Sequence, residues 1–194
     1  MKKKKLQKIK RIIGESIKLK EKLLSERNIE KIFSACEIIC DALKKNKKVL
    51  LCGNGGSAAD CQHWAGEMVG RFKKERNPYK FISLTTDTSI ISSIANDYDF
   101  KEVFKRQVEA LGEKEDILIC ISTSGKSKNV IEAAKKAKEK GMKVISLTGK
   151  SPNPLSKISD INLSVPSNDT PRIQENHILL IHILSQIIED SLCK

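Results

Sequence analysis

Residues 48–72 read KVLLCGNGGSAADCQHWAGEMVGRF. The apolar run 48–52 is short enough for a strand, and glycines with Asn54 and Ser57 follow it at once. Residues Ala58 to Phe72 then carry the spacing of a helix. A strand, a glycine-rich turn and a helix in that order form half of a βαβ unit. The same alternation recurs downstream. KFISL (80–84) is a second strand, with a short helix near 89–95 after it. DILICI (116–121) is a third, ending in STSG and leading to a helix over 127–140. Gly141 caps that helix, MKVISLTG (142–149) is a fourth strand and INLSV (161–165) a fifth. A last helix begins near Pro171, a residue suited to a first turn, and runs to about Ser191. Two further helices, near 3–24 and 28–45, precede the first strand. The expected fold is α/β: a three-layer, Rossmann-like sandwich of about five parallel strands flanked by helices, with an N-terminal helical pair.

Composition sets the outer bounds. The chain has 194 residues, enough for one domain with one core, and neither a long linker nor a repeat divides it. One domain over 1–194 is therefore expected, with 1–45 as N-terminal helices and 46–194 as the α/β core and C-terminal helix. Aromatic residues make up only 4%, so the core rests on Ile, Leu, Val and Ala. No apolar run reaches the length of a membrane span, and the N-terminus lacks the pattern of a secretory signal. Six cysteines occur without a Cys-x-x-Cys pair, which fits a reduced, cytoplasmic chain. The formal charge is +12, but residues 1–22 hold ten Lys/Arg against two Glu. These lysines alternate with Leu6, Ile9, Ile12, Ile13, Ile17 and Leu19, the pattern of an amphipathic helix with a solvated basic face. No stacking aromatics and no zinc-finger or helix-turn-helix pattern accompany them, so no nucleic-acid partner is expected.

Ligands of open α/β sheets bind beyond the carboxyl ends of the strands. Two loops stand there: Gly53-Asn54-Gly55-Gly56-Ser57 and Ser122-Thr123-Ser124-Gly125-Lys126-Ser127. Hydroxyls and free N–H groups at a helix start suit a phosphate. Neither loop is a nucleotide motif. A P-loop needs glycine where Cys120 and Val144 stand, and the last glycine of a dinucleotide fingerprint would fall on Ala58. His63 and Glu67, four residues apart, share a helix face and can converge on a metal or a reacting carbon. His182 lies in the almost wholly apolar stretch 178–188, either as a satisfied core residue or facing a cavity.

Together these segments resemble the phosphoheptose isomerases, within the sugar isomerase (SIS) domain superfamily, over roughly residues 25–193. The resemblance is carried by CGNGGSAADCQHWAGE, SLTTDTS, ANDYDF, FKRQVEALG, ISTSGKSKNVIEAAKKAKEKGMKVISLTGK and RIQENHILLIHILSQIIE. It implies an aldose–ketose isomerase that converts sedoheptulose 7-phosphate to D-glycero-D-manno-heptose 7-phosphate. That reaction is the first step of nucleotide-activated heptose synthesis for lipopolysaccharide or capsule. Carried over residue by residue, the substrate contacts fall on Asn54, Gly55, Gly56, Ser57, Glu67, Asn96, Asp97, Ser122, Thr123, Ser124, Ser127 and Gln174. The acid/base pair falls on Glu67 and His182, and the ligands of one zinc ion per subunit on His63, Glu67, Gln174 and His182. The resemblance further implies a homotetramer. Gln174 and His182, eight residues apart, would stand about 12 Å apart along a helix, which strains a single zinc site unless a neighbouring subunit completes it or Gln174 sits in a distorted first turn. Relatives that bind the replication initiator keep the loops but lose the catalytic residues; here Glu67 and His182 remain. An isomerase of another phosphosugar is the other alternative.

Overall fold

The computed structural model describes residues 1–193. Five strands form one parallel sheet in the order β2-β1-β3-β4-β5. They are β1 (Val49–Gly53), β2 (Phe81–Ser83), β3 (Ile117–Ser122), β4 (Lys143–Thr148) and β5 (Ile161–Ser164). The helices are α1 (Lys2–Leu23), α2 (Glu26–Lys44), α3 (Gly56–Val69), α4 (Thr88–Asp97), α5 (Val103–Leu111), α6 (Lys128–Glu139) and α7 (Thr170–Leu192). A single 3-10 turn, Phe100–Glu102, leads into α5.

Side chains of a strand alternate between faces, and a parallel sheet covered on both sides buries both sets. Val49 and Leu51 of β1, with Ile117, Ile119 and Ile121 of β3, face Cys36, Cys61, Trp64, Met68 and Leu180. Leu50, Cys52, Leu118 and Cys120 face Phe104, Val108, Val130 and Ala134 on the other side. Helices α2, α3 and α7 thus form one outer layer and α5 and α6 the other. All six cysteines are free thiols, and Cys52 and Cys120 lie side by side on neighbouring strands with sulfurs 3.8 Å apart.

The expected sandwich and its five strands are present. Three local differences have physical causes. Helix α3 stops at Val69, three residues short of Phe72, and Arg76 donates to the carbonyl oxygens of Glu67 and Met68 at its end. Residues Val103–Leu111 (VFKRQVEAL) form the nine-residue α5, a helix that the sequence reading did not assign. On α1 the basic face is solvated as expected, but so is most of the apolar stripe. Only Leu19 and Leu23 of that helix are buried, whereas Leu6, Ile9, Ile13 and Ile17 stay more than half exposed. Among the described residues, no helix is long and apolar enough to cross a membrane.

Candidate active site

In the strand order 2-1-3-4-5, the chain leaves β1 toward one edge and β3 toward the other. The loops after β1 and β3 therefore diverge at a topological switch point, where α/β sheets open a crevice. Asn54 follows β1 directly, and its amide exchanges two hydrogen bonds with that of Asn129 in the first turn of α6, at 2.9 and 2.8 Å. The pair ties the two loops across the mouth of the crevice. Asn129 was not singled out from sequence, because 75 residues separate the partners and no local pattern marks them.

The loop after β3 is organised by its own hydroxyls. Ser122 and Ser127 have oxygens 3.1 Å apart, and Ser124 Oγ accepts from the Lys126 amide at 3.1 Å. Gly125 holds φ +62, and a Cβ there would run into the Asn153 side chain, so only glycine fits. Ser127 is the N-cap residue of α6 but makes no side-chain cap bond, leaving amide donors of the first turn free for an anion. A cavity of about 330 Å³ opens beside the loop, lined by Thr123, Ser124, Lys126, Lys150, Asn153 and Asn168 among others. Its two lysines add positive charge that the sequence reading did not assign.

Three side chains converge between α3 and α7. His63 Nε2 lies 3.2 Å from Glu67 Oε1 and 2.9 Å from His182 Nε2. One atom from each of His63, Glu67 and His182 falls within 4.8 Å of the others. The His63–Glu67 contact is the i,i+4 pair read from the sequence, while His182 arrives from α7 with its ring 5.7 Å from that of Phe72. Two imidazole nitrogens 2.9 Å apart need one proton between them, so one ring donates and the other accepts. Two imidazoles and a carboxylate form the donor set of an open, catalytic type of zinc site. Two ligands on one tetrahedral zinc ion stand about 3.3 Å apart at bond lengths near 2 Å, so the three atoms need little rearrangement to fit one.

The remaining predicted residues divide. Gly55 and Gly56 begin α3, and Ser57 is buried behind them. Gln174, in the second turn of α7, lies with its amide against Gly56, where any Cβ would collide with it. No hydrogen bond joins it to the histidine–glutamate trio among the described residues. Asn96 and Asp97 end α4, exposed and bonded to each other at 2.8 Å, without a hydrogen bond to either loop. Asp60, one helical turn before His63, went unremarked in the sequence. Burial pushes its carboxyl up to about 6, a nearby His63 opposes this, and its Oδ2 has no hydrogen-bond partner.

Comparison with known proteins identifies the family. Residues 13–149 match the SIS domain family. The chain is 58% identical over 172 residues to a phosphoheptose isomerase of Campylobacter jejuni, covering 88% of this chain and 92% of that one. The solved phosphoheptose isomerase of Neisseria gonorrhoeae superposes with a TM-score of 0.90 at 44% identity, covering 95% of this chain and 98% of that one. The Francisella tularensis phosphoheptose isomerase gives 0.92 at 39% identity, with coverages of 96% and 98%. A relative this similar over nearly its whole length shares more than a fold, and the chain belongs to the phosphoheptose isomerase family of SIS-domain proteins.

Proposed function

We propose that the chain isomerises sedoheptulose 7-phosphate to D-glycero-D-manno-heptose 7-phosphate, as one SIS domain over residues 1–194. The observation that carries this reading is the convergence of Glu67 and His182 beside His63, in a chain of the phosphoheptose isomerase family. Ketose–aldose isomerisation moves a hydrogen from C1 to C2 through an enediol, and needs a base at carbon and a proton donor at oxygen. Glu67 takes the C1 proton and returns it to C2. His182 moves the proton between O1 and O2. The phosphate is held by Ser122, Thr123, Ser124 and Ser127 with the start of α6, and the sugar hydroxyls by Asn54, Gly55, Gly56, Ser57, Asn96, Asp97 and Gln174.

The donor set of His63, Glu67 and His182 fits one zinc ion per subunit; Gln174, which the family resemblance makes the fourth ligand, would have to leave its place against Gly56 to join them. A bound zinc ion would supply Lewis-acid polarisation of the substrate oxygens. Glu67 and His182 act as base and proton shuttle only while their reacting atoms are free of metal. A homotetramer is supported by the apolar side chains that α1 leaves exposed. A cytoplasmic setting is supported by six free thiols and a phosphorylated substrate.

The test is incubation with sedoheptulose 7-phosphate in heavy water, followed by NMR. The aldose 7-phosphate should appear with deuterium at C2, because a proton held on a carboxylate exchanges with solvent. Absence of any aldose product rules the reading out.

A further inference from the structure

The segment between α3 and β2 holds an ion pair that the chemistry above does not use. Arg76 and Glu189 are both almost wholly covered, with side chains 4% and 2% exposed, and meet at 3.0 Å. Glu189 also accepts three backbone N–H groups, from Phe72 at 3.2 Å, Lys73 at 2.8 Å and Lys74 at 2.9 Å. Its carboxylate is thereby satisfied without water. The Arg76 guanidinium donates on its other side to the carbonyls of Glu67 and Met68, both at 2.9 Å, and lies over the Tyr79 ring at 4.2 Å. Those carbonyls end α3, so a cation also sits at the negative pole of that helix. Only arginine has a planar fork of donors for a carboxylate and two carbonyls together; lysine has one nitrogen.

The position of this clamp is what gives it consequence. On α3 it grips the peptide oxygen of Glu67 itself. On α7, Glu189 is seven residues beyond His182, two turns along nearly the same face. The three amides it accepts begin at Phe72, the residue whose ring packs on the His182 imidazole at 36°. One ion pair therefore touches the helix end that carries the base, the helix that carries the proton shuttle, and the ring beside that shuttle. Among the described residues, no hydrogen bond or ion pair links it to the loop after β3.

We infer that Arg76 and Glu189 are positioning residues for the isomerisation, holding Glu67 and His182 at their working separation and seating Phe72 against His182. The inference rests on the acid/base roles given to those two residues above. Misplacing a reacting group by about 1 Å can cost a hundredfold in rate. A group remote from the phosphate should leave substrate affinity alone.

The experiment compares wild type with Glu189→Gln, Arg76→Lys and Phe72→Leu, each as the folded full chain. The first two should lower kcat by about tenfold to a hundredfold with KM within about twofold, and Phe72→Leu by less. Amide exchange at residues 72–74 should quicken in Glu189→Gln. The chain has only three histidines, so the His182 ring signals can be assigned by NMR. They should shift or broaden in all three variants, while amide signals of residues 122–127 stay in place. An anchor with no role in catalysis gives the opposite pattern: lower melting temperature, wild-type kcat per folded chain and unmoved ring signals. That pattern overturns the inference. Should Glu189→Gln not fold, Phe72→Leu, which breaks no ion pair, decides. If wild type proves inactive on sedoheptulose 7-phosphate, the earlier reading falls, and the ring signals still decide whether the clamp positions His182.

Discussion

His177 on α7 is fully buried, and neither ring nitrogen has a hydrogen-bond partner. Burial drives its pKa from 6.5 down to about 4. The folded chain thus holds it neutral where the unfolded chain would protonate it. Its contribution is intact above pH 6.5 and is lost as pH falls toward 4, by roughly 3 kcal/mol across that window. Between pH 7 and 4.5 the melting temperature of wild type should therefore fall more steeply than that of His177→Gln; equal slopes would show that His177 does not drive the acid sensitivity. At Glu67, removing the charge while keeping the shape tests the chemistry. Glu67→Gln should fold and bind substrate, with kcat down by at least about a hundredfold; near-normal turnover would remove Glu67 from the base role. Residues such as His63 and Glu67 were legible because helical spacing puts them together within one segment. Arg76 and Glu189 were not, because 113 residues separate them and a charged residue in sequence reads as surface.

Among the elements, strands were the plainest to read, since β1, β3 and β4 are apolar runs buried on both faces and bounded by turn residues. Helix α5 was harder. It is nine residues long, and its buried face includes Gln107, whose amide donates to the Leu84 and Val103 carbonyls at 3.0 and 2.9 Å. A polar residue satisfied in the core breaks an apolar stripe over so few turns, and periodicity then carries little signal. The end of α3 was misjudged for a related reason. The apolar Val69 and Phe72 suggest continuation, but the Arg76 guanidinium takes carbonyls at that end and turns the chain away. The loop after β3 was legible in composition and its function is testable as a unit. Ser122→Ala with Ser124→Ala should raise KM several-fold and change kcat by less than about threefold, because these hydroxyls lie away from the reacting carbons. Steady-state kinetics decides: a collapse of kcat at constant KM would mean that the loop acts on the chemical step.

At the scale of the molecule, the surplus of positive charge and the exposed apolar stripe belong to one helix. Leu6, Ile9, Ile13 and Ile17 recur every three or four residues along α1, all more than half exposed. A stripe of that period is a seam for another helix, and among the described residues α7 touches α1 without covering it. An apolar groove of about 300 Å³ between α2 and α7, lined by Ile29, Phe33, Ile183 and Ile187 among others, continues the same surface. The proposed homotetramer would close these faces on neighbouring subunits, so Ile9→Glu with Ile13→Glu should shift the 21.7 kDa chains to smaller assemblies in sizing with light scattering. An unchanged mass would place the subunit contacts elsewhere. Sequence spacing alone strained a single-chain zinc site, since Gln174 and His182 stand about 12 Å apart on α7. In three dimensions Glu67 and His182 of one chain, the proposed acid/base pair, meet beside His63, whereas Gln174 sits at Gly56. Subunit mixing distinguishes the two arrangements. When inactive Glu67→Gln and inactive His182→Gln chains are co-refolded, every site within a mixed oligomer still lacks one member of the pair. Activity should therefore stay at the level of the separate variants, whereas wild-type chains diluted with the double variant should retain activity in proportion to their number. Partial recovery in mixed oligomers, verified by native mass spectrometry, would mean that one chain's glutamate works with its neighbour's histidine.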